Sequence, residues 1–108
     1  MDVTIPKANV FNTALPAANA NWLATDIIPS LAPGIVRIYV CVSIAGVLSV
    51  KRTVSATSVS ELLNSGNALV AGAAYIFSVS WIVGESLNIT YSTTTGTINK
   101  LQIDESWN

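Results

Sequence analysis

Residues 67–84 read NALVAGAAYIFSVSWIVG, and from Leu62 to Gly84 the chain carries no charged side chain. Three readings compete: a membrane span, the buried middle of a domain, or a surface kept for another subunit. Tyr75, Phe77, Val79, Trp81 and Val83 occupy alternate positions, with Ser78 and Ser80 between them. A lipid-facing helix has no use for alternation, whereas a strand with one face in a core requires it. The uniformly apolar part, Ala68 to Val83, falls short of the ~20 residues that a spanning helix needs. Gly72 interrupts it, and no Lys or Arg flanks it. The stretch reads as a strand over Ala74–Val83, with no membrane partner.

The same alternation extends outward. Downstream, Gly84-Glu85 makes a turn, and SLNITYS (86–92) sets Leu87, Ile89 and Tyr91 against Asn88, Thr90 and Ser92. Thr93–Gly96 turns the chain again, TINKLQI (97–103) puts Leu101 and Ile103 inward, and DESWN is polar apart from Trp107. Upstream, Asn64-Ser65-Gly66-Asn67 is a turn signal. Ser58–Glu61 has capping-box spacing, yet Val59 is a poor helix former and a strand is preferred there. In GIVRIYVCVSI (34–44), Val36, Ile38, Val40, Val42 and Ile44 form one apolar face. VLSVKRTV (47–54) returns with Leu48 and Val50, so the two segments read as a β-hairpin turning at Ala45-Gly46, where glycine can take φ > 0.

Pro6, Pro16, Pro29 and Pro33 all fall in the first third. Proline resists helix interiors and central strands. Residues 1–33 therefore read as an extended arm with short edge strands near Asn9–Leu15 and Trp22–Ile28, joined by ALPAANAN (14–21). The expected fold is all-β: a single domain in which residues 34–108 form an antiparallel, jelly-roll-like β-sandwich of about eight short strands.

Composition narrows function by exclusion. The chain has 108 residues, of which 51% are hydrophobic and only 10% charged, against about 25% charged in ordinary soluble domains. With 5 basic and 6 acidic residues, net charge is −1. The densest basic cluster is Lys51–Arg52, too little for the phosphate neutralisation that nucleic-acid binding needs. Cys41 is the only cysteine and there is no histidine. That removes intrachain disulfides, zinc sites and Ser–His or Cys–His nucleophile pairs. Asp2, Asp26, Glu61, Glu85, Asp104 and Glu105 show no calcium-loop spacing and read as solvated charges at turns and strand ends. Asp104 and Glu105, being adjacent, point to opposite faces. Cys41 reads as a buried, inert thiol. No cofactor and no enzyme activity are expected. MDVTIPKANVF lacks the features of a secretory signal, so synthesis in a cytoplasm is expected and the sequon Asn88-Ile89-Thr90 reads as chance.

That leaves surfaces. Trp22, Trp107, Tyr39 and Arg37 are candidate anchors for an oligomer or partner interface, because aromatics and Arg dominate such contacts. Trp81 and Tyr91 suit the core. The arm carries Val3, Ile5, Pro6, Val10 and Phe11; it adds an edge strand to its own sheet or docks on a neighbour by strand addition.

In order, RIYVCVSIAGVLSVKRT (37–53), SELLNSGNALVAGAAYIFSVSWIVGESLNITYS (60–92) and TINKLQIDE (97–105) resemble small β-sandwich capsid decoration (cement) proteins of tailed viruses. In these, a hairpin of the form RIYV…S-x-AGVLSV-x-R precedes an LN-x-G…L-x-AGA-x-Y-x-F…GES-x-N segment. The likeness covers about residues 34–105, and its motifs are structural: turn glycines Gly46, Gly66, Gly72 and Gly84, and core aromatics Tyr75 and Phe77. It implies a non-enzymatic virion protein on the capsid exterior, bound to the major capsid protein and to itself as a homotrimer. Residues 1–33 lie outside the likeness, so capsid docking through Val3, Ile5, Pro6, Val10 and Phe11 is read from the residues alone. Related folds in tail-fibre heads keep open a receptor- or glycan-binding role, and a strand-donating filament subunit is a third reading.

Overall fold

A computed structural model of the chain describes residues 3–29, 35–81 and 84–107, and of residues 3 and 107 the backbone alone. Among the described residues seven strands are formed: β1 (Val3–Ala14), β2 (Ile35–Val42), β3 (Leu48–Val54), β4 (Thr57–Leu62), β5 (Ala74–Ser80), β6 (Ser86–Tyr91) and β7 (Thr97–Trp107). They make two antiparallel sheets, ordered β1-β7-β2-β5 and β4-β3-β6. Residues 19–27 run along the free edge of β6 as an irregular eighth element: Asn19 and Trp22 donate backbone N–H groups to Tyr91 and Ile89, and Ile27 bridges Leu87 in both directions. Counting that element, the chain keeps passing from one sheet to the other, and only β3 and β4 are consecutive neighbours. This is jelly-roll connectivity.

Alternation decides which side chains meet between the sheets. Val36, Ile38, Val40 and Val42 of β2, with Ile98, Leu101 and Ile103 of β7 beside them in the same sheet, face Leu48 and Val50 of β3 and Leu87, Ile89 and Tyr91 of β6, all buried in one cluster. Removing each aliphatic chain from water contributes roughly 1.5–3 kcal/mol. Tyr91 fills the middle, donating its hydroxyl to the Ile44 carbonyl at 2.7 Å, with the Trp22 ring 5.7 Å away. Burial lifts the phenol above its ordinary value, and nearby Tyr75 adds to the effect.

Several expectations change. Residues 34–44 and 47–54 do not form a hairpin: β2 pairs with β5 and β7, and β3 pairs with β4 and β6. Gly46 does not take a positive φ. It is glycine because a Cβ there would lie 2.7 Å from the Tyr91 ring and 2.6 Å from Thr93 Oγ1. Of the two readings of the N-terminal arm, the edge strand on its own sheet is the one formed, and it is longer than expected: β1 pairs with β7 from Val3–Trp107 to Ala14–Thr97. Pro6 is tolerated because β1 is an edge strand, and a register shift between Pro6 and Ala8 absorbs Lys7. The last strand continues to Trp107, well past Ile103. Cys41 is half-buried, near the Asn99 amide rather than in the core. Two carboxylates expected in solvent are buried instead: Glu85, 5% exposed, and Glu105, wholly enclosed with Lys7 at 3.7 Å.

Over 59–64 the preference for strand over helix holds as far as Leu62, the end of β4, and a short 3-10 turn follows at Asn64–Gly66. The β3–β4 hairpin turns on two residues, Ser55 (φ 51°) and Ala56 (φ 66°). Both sit where L side chains are strained, and nothing in Ser-Ala announces the turn. Replacing the pair, Ser55→Asn with Ala56→Gly, is expected to raise stability by about 1 kcal/mol in urea unfolding. A drop in the midpoint would refute the strain argument.

Among the described residues no helix is long and apolar enough to cross a membrane, and within the stretch that opened the question Ala74–Ser80 form the paired strand β5, which stops short of Trp81. Residues 82 and 83 of the expected strand lie outside the description.

Candidate functional site

The sandwich has two outer faces, and they are treated differently. Over β6, residues 19–27 form a roof. Asn88 points away from the core yet is 1% exposed. Its Oδ1 accepts from the N–H groups of Leu23 (3.1 Å) and Ile89 (2.8 Å), and its Nδ2 donates to the Leu23 carbonyl (2.9 Å) and Asp26 Oδ1 (2.7 Å). Ser86 Oγ adds a bond to Asp26. The Asn-Ile-Thr triplet thus has its acceptor amide sealed inside the fold.

The outer face of the four-stranded sheet carries no such cover. Register fixes four cross-strand rows on it, in the order β1, β7, β2, β5: Thr4–Ser106–Ile35–Ser80, Pro6–Asp104–Arg37–Ser78, Asn9–Gln102–Tyr39–Ile76 and Phe11–Lys100–Cys41–Ala74. Rows lie ~7 Å apart along the strands, and strands ~4.8 Å apart. Phe11 (67% exposed), Ile76 (68%) and Tyr39 (40%) are its large apolar groups. Lys100 donates to Asn9 Oδ1 and sits 5.7 Å over the Phe11 ring. Arg37, Tyr39, Ile76, Gln102 and Asp104 line a shallow concavity of about 220 Å³. Within it Gln102 Nε2 donates to Asp104 Oδ2 at 3.1 Å. Asp104 Oδ1 is withdrawn from solvent without a hydrogen-bond partner, and among the described residues Arg37 makes no ion pair. Donors, acceptors and an aromatic face gathered in this way suit non-covalent recognition.

A second exposed feature is the side of the sandwich where β4 and β5 end their sheets. Arg52 links the two, bonding Glu61 of β4, the Ser80 carbonyl of β5 (2.6 Å) and both oxygens of Glu85 (2.8 Å each). Exposed strand edges are normally blunted by Lys, Pro, a bulge or a cover. On the opposite side β1 has Pro6 and its register shift, and β6 has residues 19–27. Neither β4 nor β5 contains Lys, Arg or Pro, and the one acid, Glu61, is engaged by Arg52. Val59 and Leu62 are more than half exposed.

The candidate residues scatter and regroup. Phe11, Arg37 and Tyr39 come together on the open face, with Pro6 at its corner. Val10 shares the inward parity of Leu101 and packs on the core, and Ile5 pairs with the enclosed Glu105. Trp22 is half-buried, its ring 5.7 Å from that of Tyr91. Val3 and Trp107 pair through their backbones, and their side chains lie outside the description. Ile76, Gln102 and Asp104 were missed; each is an off-phase position of a core strand, and only the pairing order shows that they converge. Among the described residues no group of three or more His, Cys, Asp or Glu is placed to hold a metal ion. No protein-family model matches the sequence, and no curated protein matches it.

Proposed function

We propose that the chain is a structural subunit of a virus particle, a capsid decoration (cement) protein that works bound to copies of itself and to the major capsid protein on the capsid exterior. The observation that carries this reading is the unprotected β4/β5 side. Two strand edges free of blocking charge, with Val59 and Leu62 beside them, suit a chain that is covered in its working state. A content of only 10% charged residues points the same way, since such a surface gives little repulsion between copies. The segments at 37–53, 60–92 and 97–105 that resemble cement proteins add the viral context, and a homotrimer is the assembly that resemblance implies. A shell that binds only the folded subunit would also stabilise it by mass action.

The test is the mass and symmetry of the purified protein, followed by co-sedimentation with empty capsids of its virus. A closed trimer that pellets with capsids is expected. The double variant Val59→Lys/Leu62→Lys, altering two exposed positions, is expected to keep the circular dichroism of the parent while losing self-association. A parent protein that stays monomeric and in the supernatant would defeat the proposal. Helical polymers would favour the strand-donating filament instead.

A further inference from the structure

The concavity on the open face has a chemical character of its own. Tyr39 stands at its centre, with Ile76 on one side and Gln102 on the other in a single cross-strand row. One row away, Arg37 and Asp104 are direct cross-strand partners. This one positive and one negative group leave the site with no net charge: an anion reaching Arg37 meets Asp104, and a cation reaching Asp104 meets Arg37. The hydrogen-bonding capacity around the apolar strip is large and mostly unused. Arg37 makes no hydrogen bond or ion pair among the described residues. Asp104 accepts through Oδ2 alone, and its Oδ1 has no partner. An acceptor left unsatisfied inside the fold is costly, so a small turn of the Asp104 carboxylate that brings Oδ1 to a ligand donor recovers that cost.

We propose that this face binds a neutral saccharide unit. A pyranose ring presents an apolar C–H face and a rim of hydroxyls that are both donor and acceptor. Tyr39 and Ile76 supply the flat apolar surface. The planar guanidinium of Arg37, the carboxylate of Asp104 and the amide of Gln102 grip adjacent hydroxyls in pairs. The concavity is shallow and open, so it takes a unit within a longer oligosaccharide rather than an enclosed monosaccharide, and it binds weakly. It is separate from the β4/β5 edges, and the inference does not rest on the assembly reading.

The experiment is amide-detected NMR titration of the intact protein with maltotriose, cellotriose and mannotriose. Inorganic phosphate and a sialylated trisaccharide serve as anionic probes, and an array of neutral and acidic glycans runs in parallel. A neutral glycan is expected to give saturable shifts confined to β2, β5 and β7. Binding should be roughly tenfold weaker in Tyr39→Ala and in Arg37→Met, with thermal melts unchanged. Both side chains are exposed, so neither variant threatens folding. No saturable response to any neutral glycan would overturn the proposal, as would equal or tighter binding of phosphate. It would also fail if Tyr39→Ala abolished capsid co-sedimentation, which would make the face a protein interface. The assembly reading is judged separately, by the Val59→Lys/Leu62→Lys variant.

Discussion

Asn88→Asp is expected to destabilise the fold by about 4 kcal/mol, the scale of leaving two buried acceptors without their donor. The change replaces the Nδ2 donor by an oxygen facing the Leu23 carbonyl at 2.9 Å and Asp26 Oδ1 at 2.7 Å. Two buried hydrogen bonds disappear, and their acceptors now confront a third. The new carboxylate is buried and lies beside the acidic Asp26, and both burial and the like charge disfavour its ionised form in the fold. The folded state then takes up a proton more readily than the unfolded one. The deficit is therefore greatest at neutral pH and shrinks as pH falls through the carboxylate range. Asn88→Asp combined with Asp26→Asn should recover part of the loss. Urea unfolding at pH 7 and pH 4 measures all of this. A loss under about 1 kcal/mol would mean that the roof over β6 is not fastened by this amide.

Arg52→Met should cost about 3 kcal/mol, the scale for removing one partner of a buried pair. The Arg52 side chain is 20% exposed and that of Glu85 only 5%, so the bidentate pair is largely shielded from water. Glu85, with Glu61 assisting, holds the guanidinium protonated well above its ordinary range, against the opposing effect of burial. Without Arg52, Glu85 keeps its buried position but loses its two charge-assisted bonds. The Glu61 leg is far more exposed and contributes little alone. Arg52→Lys is not expected to rescue, because a point charge cannot make the forked contact or reach the Ser80 carbonyl at the same time. If Arg52→Met and Glu61→Gln proved equally mild in urea unfolding, the cluster would be ornamental.

What sequence patterning could reveal here has a clear physical limit. Period-two alternation identified β2, β5, β6 and β7 and the inward residues Val36, Ile38, Val40, Leu87, Ile89, Leu101 and Ile103, because burial acts on each strand locally. It could not say which strand lies beside which. A glycine between two alternating runs reads as a hairpin, yet Gly46 marks a passage between sheets past the Tyr91 ring, and no local rule distinguishes the two. Asn88 and Glu105 were unreadable for a related reason: their surroundings come from residues 19–27 and Lys7, more than sixty positions away. The open face was half legible. Arg37, Tyr39 and Phe11 stood out as side chains without a local excuse, while Gln102, Asp104 and Ile76 became visible only as a row across strands.

The pairing of Val3 with Trp107 reaches further than architecture. Every adjacency in the four-stranded sheet joins strands distant in the chain, so during synthesis β2 must wait for β5, and β1 cannot be seated until β7 has left the ribosome. Only the β3–β4 ribbon can form as it emerges. Biogenesis of this molecule is accordingly close to all-or-nothing: a nascent chain stalled before residue 97 holds its greasy ribbons unpaired, and a chaperone or a rapid finish is what keeps it from sticking to its siblings.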